Sequence, residues 1–239
     1  MKYHKLKAES LKNIFVHEMQ EKIFSGEVQI GEQLPPEREM AEKMGISRSL
    51  VNSGLLELES QGFVHRIPRR GTIVADYEKN GTLQILVALM NYDSSRIDYP
   101  LFESMMEMRY LIECESARQA AERITVEEAA GLDALARQIG EAGHPEDALE
   151  PLVLFHYRLT QLSGNTVYAM TFKSFEPVVT CLTKRFLELS PDLGRTEVLH
   201  KVLVDALLSR DGEKSAVCAR TCLEQGIGAL RKQYKLKEG

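Results

Sequence analysis

The chain has 239 residues, 44% of them apolar and 27% charged, which excludes a wholly disordered chain and leaves length enough for two cores. A net charge of −5 excludes a protein that coats nucleic acid by bulk charge, so any DNA contact must come from a local basic face. The four cysteines, Cys114, Cys181, Cys218 and Cys222, form no CxxC pair and predict free thiols in a cytoplasmic protein. The N-terminal residues lack the apolar run of a secretory signal, and no stretch approaches the roughly 18 apolar residues of a membrane span.

In chain order, Leu11, Ile14, Phe15, Met19 and Ile23 recur at helical intervals and predict a first helix over 6–24, stopped by Ser25 and Gly26. Residues 31–36 read as a turn, and Pro36 followed by Glu37, Arg38 and Glu39 predicts a short second helix ending at Gly45. Ser47 is placed to cap a third helix, with Val51, Leu55 and Leu58 on its inner face and Gly62 at its end. Two β-prone stretches, 63–67 and 72–74, flank Pro68-Arg69-Arg70-Gly71, the pattern of a hairpin with a basic tip. These elements predict a winged helix-turn-helix over 1–75, followed by a linker over 76–81. Residues 82–239 show helical periodicity alone, beginning with a stretch over 82–90, and predict an all-α antiparallel bundle. Within it, Thr125 and Glu128 form a capping box, Asp211-Gly212 makes a turn, and Pro177 is expected to kink or unwind its helix.

A helix fits the major groove with its first residues at the base edges, which makes Arg48, Ser49 and Asn52 candidate readers. Arg48 can pair with guanine O6 and N7, Asn52 with adenine N6 and N7, and Leu50 can touch a thymine methyl. Arg38, Arg66, Arg69 and Arg70 suit phosphate contacts, and Gly71 permits close approach in the minor groove. The competing reading is a plain packing module with a solvated basic face. The run GEQLPPEREMAEKMGISRSLVN over 31–52, closed by Arg70-Gly71-Thr72-Ile73-Val74, resembles the signature of GntR-family regulators across about the first 75 residues. The resemblance implies DNA contacts from Arg38, Ser47, Arg48 and Gly71. Asn52 departs from the arginine usual at its position, which implies an operator altered at the base it faces.

The helical remainder resembles the FadR subfamily, with its FCD-type sensor domain, through MRYLIE at 108–113, LFHYRL at 154–159 with Ser163-Gly164-Asn165, and LHKVLVDA at 199–206. That resemblance implies a domain that binds a metal and a small carboxylate, using an aspartate one turn before the first of three histidines. Here the set is Leu152, His156, His200 and Cys222. Either His156, His200 and Cys222 hold a zinc-like divalent metal with an open position, or Leu152 and Cys222 pack as small apolar groups against two hydrogen-bonded histidines. In both readings Arg109, His156 and His200 are candidate ligand-binding groups for an anionic effector, the alternative for Arg109 being an i+4 pair with Glu113.

One recognition helix reads few base pairs, so a homodimer on a palindromic double-stranded DNA operator is expected, with a small-molecule effector shifting its affinity, more in the manner of a repressor than an activator. A metal-dependent enzyme with a passenger DNA-binding domain is the rival class. The chain offers no HExxH, no GxSxG and no phosphate-cradling glycine loop to support it.

Overall fold

The computed structural model describes residues 10–93, 97–190 and 192–235. The chain divides into two compact units, Met1–Ser94 and Ser95–Gly239. Residues 6–9, the first turn of the helix expected at the N-terminus, lie outside the described residues.

In the first unit, α1 (Leu11–Ser25) starts at Ser10, whose hydroxyl accepts from the Asn13 amide, and stops at Gly26 in the left-handed conformation. Phe15, Val16, Met19, Ile23 and Phe24 are buried, whereas Leu11 and Ile14, which periodicity alone places inside, are exposed. The stripe that meets the core runs through 15, 19 and 23, one turn apart each time, and Leu11 and Ile14 fall at its frayed start and its edge. Helix α2 (Glu37–Met44) and helix α3 (Arg48–Gln61) are joined by a turn that Gly45 closes at φ 66°. Ser47 caps α3 by accepting from the Leu50 amide at 3.2 Å, and Val51, Leu55 and Leu58 expose no surface. Gly54 lies against the ring of Phe15, where a methyl group would overlap it.

Strands β1 (Val64–Ile67) and β2 (Gly71–Val74) pair antiparallel from Val64 opposite Val74 to Ile67 opposite Gly71. Gln33 bridges to Ile73 on the other edge of β2, which ties the segment before α2 to the wing. The linker expected at 76–81 contains a short helix, α4 (Tyr77–Asn80), and Tyr77 meets Phe24 edge-on with ring centroids 5.7 Å apart. Helix α5 (Leu83–Asp93) adds Ile85 to this same core, with Leu89 and Tyr92 packed beside it. The first unit therefore runs well past 75: the helix that periodicity assigned to the second domain buries its apolar side against α1.

The second unit contains α6 (Tyr99–Arg123), α7 (Val126–Gly140), α8 (Leu149–Leu162), α9 (Thr166–Leu189), α10 (Leu193–Leu208) and α11 (Gly212–Lys235). Helix α6 packs along α11, α10 packs on α7 and α11, and α8 packs on α6, α7 and α9. Ala117, Ala120 and Ala121 on α6 are fully buried, and these small residues let its backbone approach Phe155, Leu159 and Leu203 in the shared core. Thr125 and Glu128 make the capping box in both directions. Helix α9 continues through Pro177 without unwinding. No described helix is long and apolar enough to cross a membrane.

Candidate functional site

A single carboxylate joins the wing to the recognition helix. Glu37, the first residue of α2, accepts from Arg48 Nε at 3.3 Å and from Arg66 Nη2 at 3.1 Å. Nη2 of Arg66 also donates to Asn52 Oδ1 at 2.8 Å, while the Arg66 amide donates to Glu59 on α3 at 2.8 Å. Arg48 is 75% exposed and gives Glu37 only its Nε–H, so its terminal nitrogens remain free to make two parallel bonds. Ser47 and Ser49 lie with their hydroxyls 3.1 Å apart at the start of α3. Leu50 is half-buried against the core, not free for a thymine methyl.

Arg38 is exposed and pairs with Glu42 one turn on, a surface pair worth at most about 1 kcal/mol that a phosphate can displace. Arg69 and Arg70 occupy the exposed wing tip and have no acidic partner among the described residues. The Arg70 amide donates to Ile67 O at 3.0 Å, which closes a tight turn with Arg69 at φ 65° and Gly71 following at φ 94°. Gly71 thus supplies the backbone conformation as well as the narrow profile.

In the second unit, a buried polar chain crosses three helices. Arg109 Nε donates to Glu113 Oε1 at 2.7 Å within α6. The other oxygen of Glu113 lies 2.6 Å from His156 Nδ1 on α8, a close charge contact that lacks the alignment of a hydrogen bond. His156 Nε2 and His200 Nε2 of α10 stand 3.5 Å apart. His200 Nδ1 is 2.7 Å from the Thr196 carbonyl, which can only accept, so the proton sits on Nδ1 and Nε2 presents a lone pair. Burial pushes the Glu113 carboxyl up, but Arg109 and His156 outweigh it and hold it at about 2. Burial, reinforced by His156, holds His200 down at about 3, so it is a neutral imidazole at physiological pH.

Arg109, His156 and His200 line one cavity with Leu152 and Cys222, so the structure brings these predicted residues together. Its volume is about 30 Å³, room for one or two waters. The set does not fit a metal. Among the described residues no three histidine, cysteine or acidic side chains are placed to share an ion, which corrects the expectation of a zinc-like site on His156, His200 and Cys222. The physical reason is local: Leu152 stands where the expected carboxylate would be and offers no donor, and burial raises the thiol of Cys222 beside it. Nor is Arg109 an isolated cation, because its charge is matched by Glu113.

The model of the gntR family of bacterial regulatory proteins matches residues 13–74, and that of the FCD domain matches residues 104–225, more than half of the chain. The chain belongs to the GntR family. This GntR regulator is 27% identical over 202 residues to the putative L-lactate dehydrogenase operon regulatory protein of Escherichia coli, a match spanning 80% of this chain and 76% of that protein. It is 25% identical over 211 residues to the galactonate operon transcriptional repressor of the same organism, across 87% and 92% of the two chains. Its fold is similar to the solved structure of Lar, which controls the expression of the Listeria monocytogenes agr system, with a TM-score of 0.66 at 17% identity over 95% of this chain and 99% of that one. The GntR regulator is accordingly a DNA-binding transcriptional regulator with an FCD domain, and not an enzyme.

Two residues at the centre of these networks are absent from the sequence-based candidates. Glu37 looks like one more acid in a helix first turn, favourable there for the helix dipole alone. Glu113 looks like an i+4 partner for Arg109, and only its complete burial reveals the second contact to His156.

Proposed function

We propose that this regulator binds a palindromic double-stranded operator as a homodimer in the cytoplasm, as a repressor, and that a small carboxylate-bearing metabolite held in the second unit alters that binding without a metal. The observation that carries the DNA reading is the capped start of α3, where exposed Arg48 is linked through Glu37 to Arg66 of a wing whose tip carries two arginines with no acidic partner among the described residues. The four free cysteines suit a reducing compartment. The effector class is supported by the polar chain beneath the cavity, since buried polar groups are expensive to keep without a role. Two relatives, named for an L-lactate dehydrogenase operon and a galactonate operon, support an acid of that kind, and one is named a repressor.

Fluorescence anisotropy on operator DNA recovered by sequence selection tests both halves. If Arg38, Arg69 and Arg70 of two chains each neutralise one phosphate, log K falls against log salt with a slope of about −5. A preference for the selected sequence under about tenfold over random DNA at physiological salt would overturn the specific-binding reading. L-lactate and galactonate, added with and without a chelator, are the effector probes. A shift in affinity that survives the chelator supports the metal-free reading, and a shift abolished by it overturns that reading. The wild-type chain is the right material, because Arg109→Ala would strand buried Glu113 and cost about 3–5 kcal/mol of stability.

A further inference from the structure

We propose that Arg66 is a positioning residue for base reading: held by Glu37, its guanidinium fixes the carboxamide of Asn52 and so sets the base preferred where Asn52 meets the operator, instead of neutralising a phosphate. The proposal rests on the operator-binding reading above and goes beyond it by separating Arg66 from the other wing arginines.

The geometry makes the separation. Arg69 and Arg70 are exposed and have no acidic partner among the described residues, whereas Arg66 is only 30% exposed and committed on two sides. Both N–H groups of its Nη2 are spent, one on Glu37 at 3.1 Å and one on Asn52 at 2.8 Å. Each two-pronged edge of a guanidinium includes that nitrogen, so Arg66 cannot grip a phosphate with two bonds while the network stands. Its backbone is fixed as well, by the bond from its amide to Glu59.

Asn52 is correspondingly constrained. An arginine only donates, so the oxygen of the Asn52 amide must be the atom that faces Arg66, and the amide nitrogen must face the other way. An unheld asparagine could turn over and read either of two patterns; this one presents a single pattern to the groove. Glu37 holds Arg66 and Arg48 from opposite oxygens, which explains an acid placed where DNA phosphates would repel it.

Selection of half-sites from a randomised duplex library by the full-length chain tests the assignment. Asn52→Ala identifies the base position that Asn52 reads, as the column whose preference disappears. Arg66→Ala is expected to flatten that same column by about fivefold or more while leaving the slope of log K against log salt unchanged. Glu37→Ala is expected to flatten it too, while non-specific affinity rises because a negative charge has left the interface. The proposal is overturned if Arg66→Ala leaves the column intact, if it lowers the salt slope by about one per chain, or if Asn52→Ala flattens no column. Low salt keeps a weakened Arg66→Ala in the measurable range. Failure of the wild-type chain to enrich any half-site would overturn the operator-binding reading itself, an outcome distinct from an enriched half-site that ignores Arg66.

Discussion

Arg69 holds a backbone conformation that costs any residue with a side chain about 1 kcal/mol or more, at the one place on the wing where a long cation can reach furthest from the protein. We therefore predict that Arg69→Gly raises the unfolding free energy by about 1 kcal/mol in urea titrations and at the same time weakens DNA binding. Unchanged stability would mean that the turn relaxes in solution. His200 gives a second test, and its sign is determined by the depressed folded value. Between its ordinary 6.5 and about 3 the unfolded chain binds a proton that the folded chain refuses, so stability is complete above that window and is lost as pH falls through it. Glu113, held at about 2 against an ordinary 4.5, loses its contribution in the same direction at lower pH. We predict that stability drops by up to about 1.4 kcal/mol per pH unit through His200 between pH 6 and 5, and that His200→Gln removes this slope. An equal slope in the variant would assign the effect to other groups. At this scale the sequence disclosed Ser47 and Gly71, whose roles depend on neighbours within a few residues. It concealed the role of Glu37 and the second contact of Glu113, because those partners arrive from other elements.

The contact of α1 with α3 depends on an absent side chain. Gly54 lies in the middle of the recognition helix, where glycine is unfavourable for the helix by about 1 kcal/mol relative to alanine, yet it is buried against Phe15. Propensity predicts that Gly54→Ala stabilises; the packing predicts the reverse, a loss of about 1–3 kcal/mol as Phe15 is forced out of place. Thermal or urea unfolding decides, and a stabilised variant would show that the ring moves aside freely. The helix-turn-helix was legible because most boundaries carry their own chemical sign, Ser47 as a cap and Gly26, Gly45 and Gly62 as left-handed stops, whereas Ser10, placed inside the first helix by periodicity, is its cap. The allegiance of α5 was not. A periodic pattern announces that a helix has an apolar side but not which core receives it, and Ile85, Leu89 and Tyr92 pack with the residues before them in the chain. Leu11 and Ile14 show the same limit on α1, where more apolar residues share the helix than the core can cover.

The whole molecule separates its two duties chemically. Net negative charge overall means that, on the operator-binding reading proposed above, affinity rests on a few arginines of the wing and of α2 and α3, and we expect it to be sensitive to salt and to single substitutions. The second unit buries a balanced polar chain, with Arg109 against Glu113 and a neutral His200 at its end. The residues singled out by resemblance to the family's metal pattern line one cavity, but the ionisation of its groups depends on burial that no spacing reports. The cavity's volume of about 30 Å³ gives the proposed effector site a consequence in time. If the proposed effector is held here, it exceeds the present space, so binding waits on a widening between the helices and the response carries a delay that a rise in metabolite concentration does not shorten. In stopped-flow fluorescence we predict an observed binding rate that climbs with ligand and then levels off at the opening rate of the bundle. A rate that keeps climbing in proportion to ligand would mean that the door already stands open.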